Sequence, residues 1–151
     1  MRSARRDYGR AMSRHKYLDH LREVPMFADL GHDELELIAQ AATEVTFGAG
    51  TTLIREGATA REMVVVLDGE LEVTREGEHV AYIGAGGFAG ELSLLAHTRR
   101  HSSVTAHTDV TLLHIDGRSF GPVLEGAPQI AVKMLPIVAG RAVDNAADHT
   151  Y

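Results

Sequence analysis

Glu91 and Arg100 are the residues of this chain whose types and spacing could do chemistry together. They stand nine apart in the run Gly90-Glu91-Leu92-Ser93-Leu94-Leu95-Ala96-His97-Thr98-Arg99-Arg100-His101-Ser102-Ser103-Val104. A carboxylate accepts hydrogen bonds from hydroxyl groups, and a guanidinium offers a planar fork of donors matched to phosphate oxygens. Gly84, Gly86, Gly87 and Gly90 lead into the run and let backbone approach a ligand closely. Leu92–Leu95 reads as a short helical turn opened by Glu91, and N–H groups at the start of such a turn favour anions. A ligand with both a hydroxyl and a phosphate, a nucleotide or sugar phosphate, satisfies that set. The plain alternative is a surface ion pair between Glu91 and Arg100, worth about 0–1 kcal/mol.

Other chemistries find less support. The nine histidines include His97, His101, His107 and His114, which show no metal-ligand spacing. Ser102 and Ser103 lack a nucleophile-elbow pattern. The chain has no cysteine, so neither a disulfide framework nor thiolate chemistry is expected. A non-catalytic binding module without a cofactor is the reading that remains, against a metal-dependent β-barrel enzyme with no visible ligand set.

The elements that must position the run follow from periodicity. The 151 residues suit one domain with a proper core. Residues 15–24 read as a helix stopped by Pro25, and Leu30–Ala42 as a second. Short runs separated by glycines then predict strands at Glu44–Phe47, Thr51–Arg55, Met63–Leu67, Glu70–Arg75 and Val80–Ile83. Ser103–Ala106 and Val110–Ile115 follow the central run as strands. Asp116 is a plausible cap for a helix Gly117–Leu124, and Gln129 to Ala147 continues as an amphipathic helix that Pro136 should kink or leave with an unpaired carbonyl. The fold class expected is α+β: an antiparallel β-roll, a jelly-roll-like barrel, flanked by N-terminal helices and two C-terminal helices.

Charge divides the chain. Residues 1–22 carry seven basic groups against two acidic, while the whole has a net charge of −6. The expected organisation is a basic N-terminal helical arm, 1–23, on an acidic domain, 24–151. Such an arm could dock on a partner or on another copy of the chain, so a homo-oligomer is among the expected partners. An acidic body is a poor nucleic-acid surface, and no apolar run reaches the roughly 18 residues of a membrane span. The expected location is cytoplasmic.

Phe88-Ala89-Gly90-Glu91-Leu92-Ser93-Leu94-Leu95 followed by Arg99-Arg100-His101-Ser102-Ser103-Val104 resembles the phosphate-binding cassette of the cyclic nucleotide-binding domain family. That family includes the catabolite activator protein, protein kinase A regulatory subunits and cyclic-nucleotide-gated channels. The resemblance extends over about residues 24–147, with Phe47, Gly50, Ile54 and Gly57 in the first turn of the roll and Gly69-Glu70 in its central turn. It implies a regulatory module whose Gly90 and Glu91 serve the ribose end, Glu91 accepting the 2′-hydroxyl. Arg100 would pair with the cyclic phosphate, and backbone amides of Leu92, Ser93 and Ser102 would complete the cradle. Val73, Ile83 and Leu92 fall where the family packs the base, and the last helix would close as a lid. The ligand implied is cAMP, with cGMP as the alternative. Occupancy would pass to an effector protein through the C-terminal helices, without a DNA-binding domain after the lid. Ala89, Arg99 and His101 depart from the common pattern, and His101 lies where the family often touches the phosphate. With Ala89 it motivates the competing reading: the same fold with a degenerate pocket, used for protein interaction or oligomerisation.

Overall fold

The computed structural model describes residues 14–147. Two helices, α1 (Arg14–Glu23) and α2 (His32–Gln40), are joined by a 3₁₀ turn at Pro25–Phe27. Eight strands follow: β1 (Ala42–Phe47), β2 (Thr52–Ile54), β3 (Glu62–Asp68), β4 (Leu71–Arg75), β5 (Glu78–Ile83), β6 (Phe88–Ala89), β7 (Ser103–Ala106) and β8 (Val110–Asp116). A short helix, α3 (Glu91–Ala96), interrupts them between β6 and β7, and α4 (Gly117–Gly126) and α5 (Pro128–Ala147) close the fold.

The strands form two four-stranded antiparallel sheets, ordered β1-β8-β3-β6 and β2-β7-β4-β5. This is the expected α+β roll. The first sheet is the middle layer. Met63, Val65, Leu113 and Ile115 face a core shared with the helices, and Val64, Val66, Leu112 and Val110 face a second core inside the roll. Both faces of β3 are therefore dry, so Met63-Val64-Val65-Val66-Leu67 is an unbroken apolar run rather than an alternating one. By contrast β4 alternates, with Leu71 and Val73 buried and Glu72 half-exposed.

The N-terminal helices belong to the helix-side core. Leu18 and Leu21 of α1 are buried with Phe27, Leu35 and Ile38. The Tyr17 hydroxyl donates to Glu44 Oε1 on β1 at 3.0 Å, and burial plus that carboxylate pushes the phenol up to about 12. Residues 1–13 of the expected basic arm lie outside the described residues.

Element ends differ from expectation for physical reasons. α2 begins at His32 and ends at Gln40, because Ala42 pairs with Ile115 and opens β1. β6 was masked in the sequence by its glycine neighbours, and it exists because Val64 and Val65 pair with Ala89 and Phe88. α5 runs unbroken through Pro136. The proline lies on the exposed face, so the Val132 carbonyl that it deprives of a donor is open to water. Asp116 caps α4 as expected, accepting from the Arg118 N–H at 2.7 Å. The axes of α4 and α5 turn by 113° at their junction. Among the described residues no single helix is long and apolar enough to cross a membrane.

Candidate functional site

Gly90 follows β6 and caps α3 with φ +90°. A Cβ there would lie 2.6 Å from Arg100 Nη1 and 3.1 Å from the Glu62 carbonyl oxygen, so only glycine fits without displacing the arginine. Arg100 reaches up from the turn before β7 and is 5% exposed. Its Nη1 donates to the Gly90 carbonyl at 2.8 Å, and its Nη2 donates to the Glu62 carbonyl. The Glu62 carboxylate stands 3.8 Å away. Burial lowers the Arg100 pKa while Glu62 and Glu91 oppose the shift; a guanidinium keeps its proton regardless. These contacts fix the arginine between β3 and the start of α3.

Glu91, in the first turn of α3, has no exposed surface. Burial raises its pKa above the carboxylate range, against the pull of Arg141, of its own backbone N–H and of Arg100. Its Oε2 lies 2.8 Å from Arg141 Nε on α5. The approach is an ion pair of poor hydrogen-bond angle, and neither carboxylate oxygen gains a well-formed hydrogen bond. Arg141 is anchored further by stacking 4.3 Å over the Phe88 ring and donating to the Phe88 carbonyl at 3.2 Å. Glu91 and Arg100 thus each take a different partner, which removes the simple surface ion pair between them.

The remaining expected residues are placed as follows. Ser93 and Ser102 are buried, Leu92 is half-buried beside Glu91, and His101 is exposed. His101 therefore points to solvent rather than crowding Arg100. Val73 and Ile83 sit inside the roll core, where Val73 pairs with Ala81 and Ile83 with Leu71. An open cavity of about 990 Å³ lies between the β4–β5 hairpin and α5. Its walls include Val80, Ala81, Phe88, Ile137 and Arg141. Gly90, Glu91, Arg100, Val73 and Ile83 do not line it; Phe88 and Arg141 connect it to them.

Glu62, Phe88 and Arg141 are the site residues that sequence reasoning missed. Arg141 left a signal: it shares a helix face with Ile130, Met134 and Ile137, and a cation on a packed face needs a carboxylate. Glu62 left none, because its carbonyl does most of the work. Among the described residues, the group close enough to share a metal ion is His32, Asp33 and Glu36 on α2. His32 and Asp33 are exposed and Glu36 is half-buried, and the group sits at the positive end of that helix.

A profile of the cyclic nucleotide-binding domain matches residues 44–126, more than half of the chain and including Gly90, Glu91 and Arg100. The chain belongs to the cyclic nucleotide-binding domain family. That is a ligand-binding family, not a catalytic one. A cAMP-dependent protein kinase regulatory subunit from Yarrowia lipolytica is 39% identical over 123 residues, covering 78% of this chain and 33% of the relative. The crystal structure of the N-terminal domain of a transcriptional regulator from Streptomyces coelicolor A3(2) superposes with a TM-score of 0.72 at 30% identity, covering 88% of this chain and 98% of that one. The regulatory subunit of a cAMP-independent protein kinase A from Trypanosoma brucei gives a TM-score of 0.68 at 26% identity, covering 80% and 46%. This cyclic nucleotide-binding domain spans about a third of the length of the curated relatives it matches.

Proposed function

We propose that the chain senses a cyclic nucleotide, cAMP first, by holding its ribose on Glu91 and its phosphate on Arg100. One observation carries the reading. Glu91 is a fully buried carboxylate whose two oxygens have no well-formed hydrogen bond. A buried carboxylate without a well-formed hydrogen bond is costly, and a ribose 2′-hydroxyl would supply one beside the Arg141 ion pair. Arg100 has five N–H donors and uses two on backbone carbonyls, which leaves donors for an equatorial or axial phosphate oxygen. The first turn of α3 adds N–H groups of Leu92 and Ser93 that lack intrahelical partners. In this reading the base enters the cavity over Val80 and Ala81, under Ile137, and not the roll core at Val73 and Ile83. cAMP takes precedence over cGMP because the Yarrowia relative is a cAMP-dependent regulatory subunit; the cAMP-independent trypanosome relative makes the base an open experimental variable.

Occupancy passes to α4 and α5, and from them to an effector protein in the cytoplasm. Two contacts support this route. Arg141 ties α5 to Glu91, and a Cβ on Gly117 at the start of α4 would lie 2.7 Å from Leu94 of α3. A shift of α3 would therefore be felt at the start of α4. The ligand moves this equilibrium only through its differential affinity for the two arrangements.

Calorimetric titration with cAMP and with cGMP tests the reading, with R100A as the control. Saturable heat that R100A abolishes is expected. No heat from either nucleotide at roughly 100 μM protein would place the Kd beyond about a millimolar, near −4 kcal/mol, and end the proposal. Spin-label distances between α5 and β5 that stay unchanged at saturation would end the lid movement alone.

A further inference from the structure

A second cavity, of about 710 Å³, lies between α3, α4 and the turn that leads into β3. It shares no lining residue with the cavity assigned to the base. Leu94 and Leu95 of α3, with Phe120 and Leu124 of α4, give it an apolar floor. Gly117, Phe120, Gly121 and Leu124 recur at the spacing of one helix face, which α4 turns toward α3. Gly121 is the unusual member of that face. Glycine inside a helix is destabilising relative to alanine. Its φ here is not positive, and a Cβ on it would meet nothing within 4 Å. Neither backbone geometry nor packing asks for glycine at this position; the missing side chain leaves the cavity open.

We propose that this cavity is a second ligand site, for a small monoanion with an apolar body, of the class of a medium-chain carboxylate. Small-molecule sites are largely apolar pockets of about 300–1,000 Å³ with a few polar groups that fix orientation. Here the polar groups choose the charge. Arg61 and His97 stand in the wall, and among the described residues no hydrogen bond or ion pair occupies either side chain. Arg118 stands there too, but Asp116 already holds it at 3.3 Å, and that pair is neutral as a whole. Arg61 is therefore the uncompensated charge beside the start of α4, where the Gly117 N–H donates to its carbonyl. Glu125 lines the far end of the same helix, eight residues from Gly117 and about 12 Å along the axis. A carboxylate head pairs with the Arg61 fork, and its chain lies over the leucines and Phe120. A second carboxylate at the far end would meet Glu125, so the cavity selects one negative charge and rejects two. The bound chain spans the place where Leu94 touches Gly117, and so holds α3 against α4.

This inference does not rest on nucleotide binding, and its test needs no nucleotide. Amide NMR titration of the full chain with octanoate, to about 10 mM, should give saturable shifts on α3, α4 and residues 59–61, with a Kd near or below about a millimolar. Octanol keeps the apolar chain without the charge, and suberate carries a carboxylate at both ends. Each should bind roughly fivefold more weakly or worse. R61Q, a change at an exposed side chain, should weaken octanoate by a similar factor. G121L fills the cavity from a position with free space and replaces a poor helix former with a good one, so it should melt no lower than the parent and lose the octanoate shifts. If G121L fails to fold, R61Q decides the location. Three results overturn the proposal: no saturable shifts, shifts confined to the cavity beneath α5, or unchanged octanoate binding in R61Q. Octanol or suberate binding as tightly as octanoate overturns the selection for a single negative charge.

Discussion

Replacing Gly90 with alanine separates two costs that the structure places at one residue. The first is conformational, since φ +90° is a left-handed value that costs an L-residue about 1–2 kcal/mol. The second is steric. The new Cβ would stand 2.6 Å from Arg100 Nη1 and 3.1 Å from the Glu62 carbonyl. The end of Arg100 is the part able to yield, and in yielding it gives up its hydrogen bond to the Gly90 carbonyl. A charged hydrogen bond of this kind contributes about 1.5–3 kcal/mol. Gly86 supplies the control: its φ is +88°, and nothing lies within 4 Å of its Cβ position. G86A should therefore cost about 1–2 kcal/mol and G90A about 3–5 kcal/mol. At about 2–4 °C per kcal/mol, G90A should melt roughly 10 °C below the parent and clearly below G86A. Nucleotide affinity, read by calorimetry on the folded variants, should fall at least tenfold in G90A and stay near the parent in G86A. Equal melting temperatures and equal affinities for the two variants would refute the claim that Gly90 exists to seat Arg100.

Three further outcomes follow from the same geometry. Burial holds Glu91 above its usual 4.5, so its ionised form opposes folding, a penalty absent below that value and growing as the pH rises toward the folded one. Urea melts at stepped pH should show E91Q gaining stability relative to the parent as the pH increases from about 4.5; a pH-independent gap would contradict it. R141Q removes the cation that faces Glu91 and ties α5 to Phe88, and calorimetry should show nucleotide Kd rising roughly tenfold or more; tighter binding would mean that Arg141 competes with the ligand. D116A deletes the cap of α4 and should cost about 1 kcal/mol in denaturant midpoint at neutral pH. The Arg118 N–H and guanidinium hold Asp116 below the usual carboxylate range, so this contribution is present at neutral pH and fades as acid titrates the carboxyl.

Local signals in the sequence carried as far as single elements and their immediate neighbours. Glycine-punctuated short runs located seven of the eight strands, and Asp116 marked the start of α4, because turn chemistry and capping act within a few residues. β6 escaped because two residues cannot show a period; its identity comes from pairing with Val64 and Val65, more than twenty residues earlier. Gly90, Glu91 and Arg100 were legible as a unit since one loop carries all three. The structure gives each a distant partner that no spacing announces: the Glu62 carbonyl under Arg100, and Arg141, fifty residues on, against Glu91. Val73 and Ile83 show a converse ambiguity. Apolar residues on a strand read equally well as pocket wall or as core, and the inward pleat of β4 and β5 puts both in the roll, leaving Val80 and Ala81 on the cavity. Pro136 broke a local rule without breaking the helix because its lost hydrogen bond faces water.

The role of Glu91 is tested most directly by comparing a cyclic ribonucleotide with its 2′-deoxy analogue in the parent and in E91A, by calorimetry. If the buried carboxylate receives the 2′-hydroxyl, the parent should bind the deoxy form about 10- to 100-fold more weakly, the value of one charged hydrogen bond. E91A should bind both forms alike. Equal affinity of the parent for the two sugars would contradict the assignment of Glu91 as the hydroxyl acceptor.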